Sequence, residues 1–311
     1  MKILIAYDGS YFGNAILDDL LYAGLPESAK AMVITVVEPE SFLIGKKYED
    51  VVGWLGYRMI EARSAARFAG NRIQSAFPKW DLCYEARLAL PQKELVDGVR
   101  TWGTDLVIIG QHGRANSKKA GIGRIAKRLL KKARCSVRIA RARIRSQSRP
   151  PRVIVPLCAP QNHDAVEEAV IARAWPRGTE IKLLASVGLF LDEMQLVSSV
   201  LDARVRAIKD FLRSFEKKFQ SANLLVSSEI ISSFTTSDVN NTARQWGADC
   251  VMVGYREMNF FERVFCSDFA ARIAASAECS VEVARGPIRY SAANPDFTSS
   301  VASKDFPLVV P

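Results

Sequence analysis

Residues 102–110 read WGTDLVIIG and residues 246–254 read WGADCVMVG, and the stretch ARCSVRIAR at 133–141 returns as AECSVEVAR at 277–285. Both matches lie 144 residues apart, so the chain repeats one unit in tandem. Each copy alternates short apolar runs, rich in β-branched residues, with longer segments of helical period. That is the pattern of a parallel sheet covered by helices on both faces. In the first copy strands are expected near 2–8, 31–37, 82–87, 105–110 and 136–140, with the longest helix near 48–76. In the second they are expected near 152–157, 180–187, 224–230, 249–254 and 280–284, with a long helix near 191–219. The organisation that follows is a first domain over 1–141, a polar, Pro-Pro-containing linker over 142–151, a second domain over 152–285 and an extended tail over 286–311.

The 311 residues, 49% of them apolar, suffice for two domains that each bury a core without staples. The six cysteines, at 83, 135, 158, 250, 266 and 279, form no CxxC and no paired spacing. The N-terminal MKILIAYDGS has the pattern of a buried strand rather than of a targeting segment, and no apolar run is long enough to span a bilayer, so a cytoplasmic chain with reduced thiols and no transmembrane segment is expected. The net charge of +10 is uneven, because 26 of the 43 Lys and Arg but only 14 of the 33 Asp and Glu fall in residues 1–150. Most of that excess comes from 114–149, which holds fourteen basic residues and no acid.

The two copies part at their glycines. After its fourth strand the first has Gly110, Gly113 and Gly123, where the second, aligned without gaps, has Gly254, Glu257 and Ser267. This first copy resembles the universal stress protein family. ILIAYDGS at 3–10 is similar to that family's first strand with its aspartate, VITVVEP at 33–39 to its second strand, and Gly110-x2-Gly113-x9-Gly123 to its nucleotide-binding signature, G-x2-G-x9-G-[S/T]. The resemblance implies an α/β fold of two tandem doubly wound open parallel sheets, each of order 3-2-1-4-5 and adenine nucleotide alpha hydrolase-like. It also implies an adenine nucleotide (ATP, ADP or AMP, with or without a divalent cation) in the first domain, and a regulatory or protective role in stress response.

In such a sheet the ligand crevice lies beyond the carboxyl ends of the strands where the strand order reverses, between the first and fourth strands. Asp8 and Gly9 flank it on one side and Gly110 on the other. Gly110 and Gly113 are expected to allow close backbone approach with positive φ, and Gly123 to open a helix whose N–H groups suit an anion. Asp8, acceptor-only when ionised, suits a ribose hydroxyl or a metal-bound water; its competing reading is a cap for the helix near Phe12. By resemblance the backbone of Val36 meets the adenine edge. The chain departs from the family at Arg124, Ile125 and Ala126, where phosphate-binding hydroxyls are expected, so Arg124 is the candidate substitute through bidentate contact. In the second copy the aspartate position is Cys158 and the signature ends in Glu257, Ser267 and Asp268, so no nucleotide is expected there.

No catalytic set is legible. The only histidines are His112 and His163, read as a loop residue and a helix-flanking residue, and neither a metalloprotease nor a phosphate-loop lysine motif is present. The basic block contains RIAKRLLKKAR at 124–134, an amphipathic helix with Ile125, Leu129, Leu130 and Ala133 inward and Arg124, Lys127, Arg128, Lys131 and Lys132 outward. Continued through Arg138, Arg141, Arg143, Arg145 and Arg149, it is expected to give weak, salt-sensitive attraction to polyanions without sequence reading. A rival functional reading is therefore a nucleotide-free interaction module that recruits an acidic partner or nucleic acid. The resemblance implies that SVRIA at 136–140 and SVEVA at 280–284 pair the two domains within the chain, which would cover exposed sheet edges, and a homodimer of whole chains is left open.

Overall fold

The computed structural model describes residues 1–39, 48–113, 121–142, 149–157, 163–186, 198–231, 234–255 and 263–286. Among the described residues ten strands and eight α-helices follow one another, strand and helix alternating within each half. The first half runs β1 (Lys2–Ala6), α1 (Tyr11–Asp19), β2 (Lys30–Val37), α2 (Tyr48–Ala76), β3 (Asp81–Leu88), α3 (Pro91–Trp102), β4 (Leu106–Gly110), α4 (Arg124–Lys132) and β5 (Ser136–Ala140). The second runs β6 (Arg152–Pro156), α5 (His163–Ile171), β7 (Glu180–Ser186), α6 (Ser198–Ser221), β8 (Leu225–Ile231), α7 (Thr236–Trp246), β9 (Cys250–Tyr255), α8 (Arg263–Ser276) and β10 (Ser280–Arg285). The Trp-Gly that opens both repeated blocks is a helix end. Gly103 and Gly247 terminate α3 and α7 with left-handed φ of 67° and 69°, a conformation glycine adopts without strain.

The strands form one ten-stranded sheet of order β3-β2-β1-β4-β5-β10-β9-β6-β7-β8. Within each half every pair is parallel, and the two halves meet where β5 pairs antiparallel with β10. The central strands β4 and β5 are buried along their whole length; β4 is a continuous apolar run, as a strand covered on both faces should be, whereas β5 also buries Ser136 and Arg138. Three apolar clusters fill the layers. One joins residues of β1, β2 and β4 and of helices α1 and α2, a second joins β6, β7, α5 and α6, and a third, on the opposite face, runs across both halves through α3, α4, α7 and α8. The halves thus share one core rather than touching only along a strand.

At the junction the register sets Arg138 opposite Glu282, its own counterpart in the repeat. Both are fully buried. The Arg138 guanidinium holds Asp19 through two hydrogen bonds of 2.5 and 3.0 Å and Glu282 through one of 3.0 Å. Arg173 pairs with the second oxygen of Glu282, and the Ser280 hydroxyl donates to Asp19 at 2.7 Å, so two cations face two carboxylates. Burial by itself would lower the Arg138 pKa, but Asp19, Cys250 and Glu282 outweigh it and keep the group charged. Around this centre the contacts are reciprocal. Arg285 donates to the carbonyls of Leu130 and Cys135 at the end of α4, while Arg141 donates to that of Ala274 near the end of α8. Cations at helix C-termini also suit the helix dipole.

These contacts correct the expectation for the basic block. Arg138 is inside the sheet, Arg141 is half-buried on Ala274, and Arg149 is fixed bidentately on Asp249 at 2.8 Å, so none of the three adds to an outward field. What remains among the described residues is the outer face of α4, where Arg124, Lys127, Arg128, Lys131 and Lys132 are exposed above buried Ala126, Leu129 and Leu130, and the exposed Arg134 just beyond it. Residues 114–120, 143–148 and 187–197 and the tail beyond 286 lie outside the described residues.

Two outcomes follow from the buried charges. Arg138→Met leaves Asp19 and Glu282 short of a cation in the interior and is expected to cost about 3–5 kcal/mol in urea unfolding; a loss below about 1 kcal/mol would show that the cluster is dispensable. His163, wedged against Phe211 and Phe215, is 5% exposed, and burial, opposed only weakly by Asp164, pushes its pKa down to about 4. Because the folded value lies below the unfolded one, its contribution is complete above pH about 6.5 and is lost as the pH falls toward 4. Stability should drop by about 2–3 kcal/mol across that window, at 1.36 kcal/mol per pKa unit. Comparing wild type with His163→Leu at pH 7 and pH 4.5 isolates it, since the variant's slope should be shallower.

Candidate functional site

β1 ends at Ala6 whereas β2 continues to Val37, so a crevice opens beyond the carboxyl end of β1, between β2 and β4. A cavity of about 320 Å³ occupies it. Its walls bring together Asp8, Val36, Gly110, Gly113, Gly123 and Arg124. Of the residues expected from the sequence to form the site, only Gly9 is not part of the lining.

Backbone direction explains the place of Val36. Ile34 accepts from Tyr7 N at 3.0 Å, so its peptide groups face β1, and Val37 accepts from Ala89 N at 3.0 Å, so its groups face the β3 side. Alternation along the strand then turns the N–H and C=O of Val36 toward β1, at a level where β1 has already ended. Strand edges freed in this way offer a donor and an acceptor to a planar polar ligand.

Asp8 sits just past β1. One carboxylate oxygen accepts from Ser10 N at 3.0 Å, and the other lies toward Gly113, where an added Cβ would come within 3.3 Å of it. The cap of α1 is not Asp8 but Ser10, whose hydroxyl accepts from Gly13 N at 3.1 Å. Gly9 makes the turn between them with φ 73°. The competing reading of Asp8 as a helix cap is therefore set aside.

The glycines act differently from the expectation of positive φ. Neither Gly110 nor Gly113 is left-handed; the left-handed residues here are Gly9 and Gly121, at 73° and 94°. Gly110 is required for packing, since a Cβ would stand 2.7 Å from the carbonyl oxygen of Phe12 as α1 crosses the end of β4. Gly123 is the N-cap of α4 and offers no side-chain acceptor to the first turn, which also lacks an acidic residue. The turn is held by Gly123 N donating to Gln111 O at 2.8 Å and by Gln111 Nε2 donating to Gly121 O at 2.7 Å. The first N–H groups of α4 and the exposed Arg124 at its first position thus bound one end of the cavity.

Several wall residues carried no signal in the sequence reading. Trp54, Arg58 and Glu61 come from α2, and Gln92 and Leu95 from α3. His112, 6% exposed, packs edge-on to Phe12 at 5.4 Å and lines the cavity rather than standing in an open loop. Among the described residues no three His, Cys, Asp or Glu side chains gather as a metal site. The corresponding positions of the second half, Cys158 and Glu257, lie outside the described residues, and nothing is described of the side chains of Ser267 and Asp268. Cys135 and Cys250 are buried thiols, both pushed up to about 12 by burial, which makes them unreactive. Among the described residues no helix is long and apolar enough to cross a membrane.

Comparison with known proteins gives three findings. The model of the universal stress protein family matches residues 1–141. Comparison with curated proteins gives no match. Among solved structures, the chain is similar in fold to a universal stress protein from Archaeoglobus fulgidus DSM 4304, with a TM-score of 0.61 and 14% identity over 92% of this chain and 97% of that one. It is also similar to a functionally unknown protein from Pseudomonas aeruginosa PAO1, with a TM-score of 0.57 and 14% identity over 92% of each chain. At such identities these two likenesses speak for the fold alone. Residues 1–141 are thus a domain of the universal stress protein family.

Proposed function

We propose that the cavity of the first half binds one adenine nucleotide per chain, and that the protein acts through this binding as a regulatory or protective component of a stress response. The observation that carries the reading is the convergence on one cavity of a polar strand edge at Val36, a carboxylate at Asp8 and an uncapped helix N-terminus at Gly123. Those three features match, in order, a base edge, a ribose diol and a phosphate. The volume of about 320 Å³ falls within the usual range of small-molecule sites, about 300–1,000 Å³. A divalent cation, if carried, would be held by phosphate oxygens with Asp8 as the protein ligand.

We read residues 152–285 as a duplicate of the first domain that has given up the site and serves to cover β5, with 142–151 as the linker. Because β5 and β10 pair with each other, a homodimer of whole chains would need another surface. The exposed basic face of α4 supports a second reading, weak attraction to polyanions, and a cytoplasmic setting suits both.

Calorimetry with ATP, ADP and AMP tests the first reading, with a stoichiometry of one expected. Gly113→Glu sets a carboxylate beside Asp8 and at about 4 Å from a bound phosphate would cost roughly 1–4 kcal/mol, so binding should weaken at least several-fold; two sites per chain, or undiminished binding by the variant, would sink the assignment. Arg124→Ala is expected to weaken ATP more than AMP, because the guanidinium stands in for the missing hydroxyls at the phosphate end. Equal losses for both nucleotides would show that it only decorates the helix.

A further inference from the structure

The 29 residues of α2 make a helix of about 43 Å, while the eight residues of β2, over which it packs, span about 26 Å. Ala66, Ala69 and Ile73 are buried in the second half of the helix, with Ala69 and Ile73 in the core on that face of the sheet. The first turns overhang the strand end. There the same stripe of the helix, carried on at spacings of four from Ala66 through Ala62, presents Arg58 and Trp54 to the cavity, with Glu61 beside them. A stripe that is apolar and small over the sheet becomes large, aromatic and charged beyond it.

We propose that this overhang is the base-binding wall of the cavity, with Trp54 as its stacking surface; the proposal rests on the nucleotide reading above. α2 covers β2 and β3, so it borders the Val36 end of the cavity, whereas α4, with Gly123 and Arg124, borders the other. A planar base whose edge meets the Val36 backbone needs an apolar face beside it, and the half-buried Trp54 supplies one. The Arg58 guanidinium lies 5.9 Å from the Trp54 ring centroid and is itself bound to Glu61. The indole thus carries a cation against its ring, and the base is assigned to the part of the indole that lines the cavity. Aromatic and base then share a cation–π and stacking arrangement in which each contact is insensitive to which purine is present.

The test is a titration of the full chain with adenosine, ADP and inorganic tripolyphosphate, followed by tryptophan fluorescence and by calorimetry in wild type, Trp54→Phe and Trp54→Ala. Adenosine and ADP should quench the wild type and tripolyphosphate should not. Trp54→Phe should lose the quenching yet keep affinity within a few-fold, and Trp54→Ala should bind ADP about 5–100-fold more weakly, the range that loss of one aromatic–base stack gives. Thermal unfolding of both variants checks that the fold is kept, as expected for a side chain beyond the sheet. Unchanged ADP affinity in a folded Trp54→Ala, or quenching that survives in Trp54→Phe, overturns the wall while leaving the nucleotide reading in place. Failure of the wild type to bind either adenosine or ADP overturns both.

Discussion

Everything in this fold hangs on the antiparallel meeting of β5 and β10, because only there do two parallel five-stranded halves become one sheet. The pairing sets each repeat against its counterpart, so the residue at the centre faces its own equivalent. Identical copies would bring arginine against arginine in a fully buried site, where the repulsion is far stronger than at the surface. The repeats avoid this by differing at that position, Arg138 in one and Glu282 in the other, with Asp19 and Arg173 completing a balanced set. The difference at this position favours pairing of the two unlike halves over pairing of like ones.

The same junction accounts for much of the charge in the sequence. A run of fourteen basic residues invites an electrostatic reading, yet three of them are consumed by the internal architecture: Arg138 in the buried cluster, Arg141 at the end of α8 and Arg149 on Asp249. The reciprocal partner Arg285, from the acidic half, does the corresponding work at the end of α4. Clustering along the chain and clustering in space are different properties, and only the second makes a field. On α4 the two coincide, since a helix with one apolar stripe must show its remaining side chains to solvent.

The cavity owes its form to unequal lengths. A short β1 beside a longer β2 leaves the Val36 peptide without a strand opposite it, and a long α2 over that pair leaves a wall standing beyond the sheet. Close packing sets the rest. Gly110 is small so that α1 can cross the end of β4, and Ser10 takes over the capping of α1 while Asp8 lines the cavity.

Periodicity and repetition determined the elements, their order and the approximate ends of the strands, because alternating burial and turn-forming glycines leave a local imprint on composition. The family resemblance pointed to Asp8, Val36, Gly110, Gly113, Gly123 and Arg124, and all six border one cavity. Gly9, expected beside Asp8, makes the turn after β1 with φ 73° and is not among the lining residues. What the sequence could not yield were the side-chain ties between residues far apart along it. The tie of Asp19 to Arg138 spans 119 residues, and that of Arg138 to Glu282 spans 144. Trp54 and Arg58 read as ordinary helix positions, since a helical stripe looks alike whether it meets a sheet or overhangs one. Tertiary structure decided which arginines are inside, which glycines are left-handed and where the helix outruns the strand. Those outcomes depend on what lies opposite in space, which no local pattern encodes.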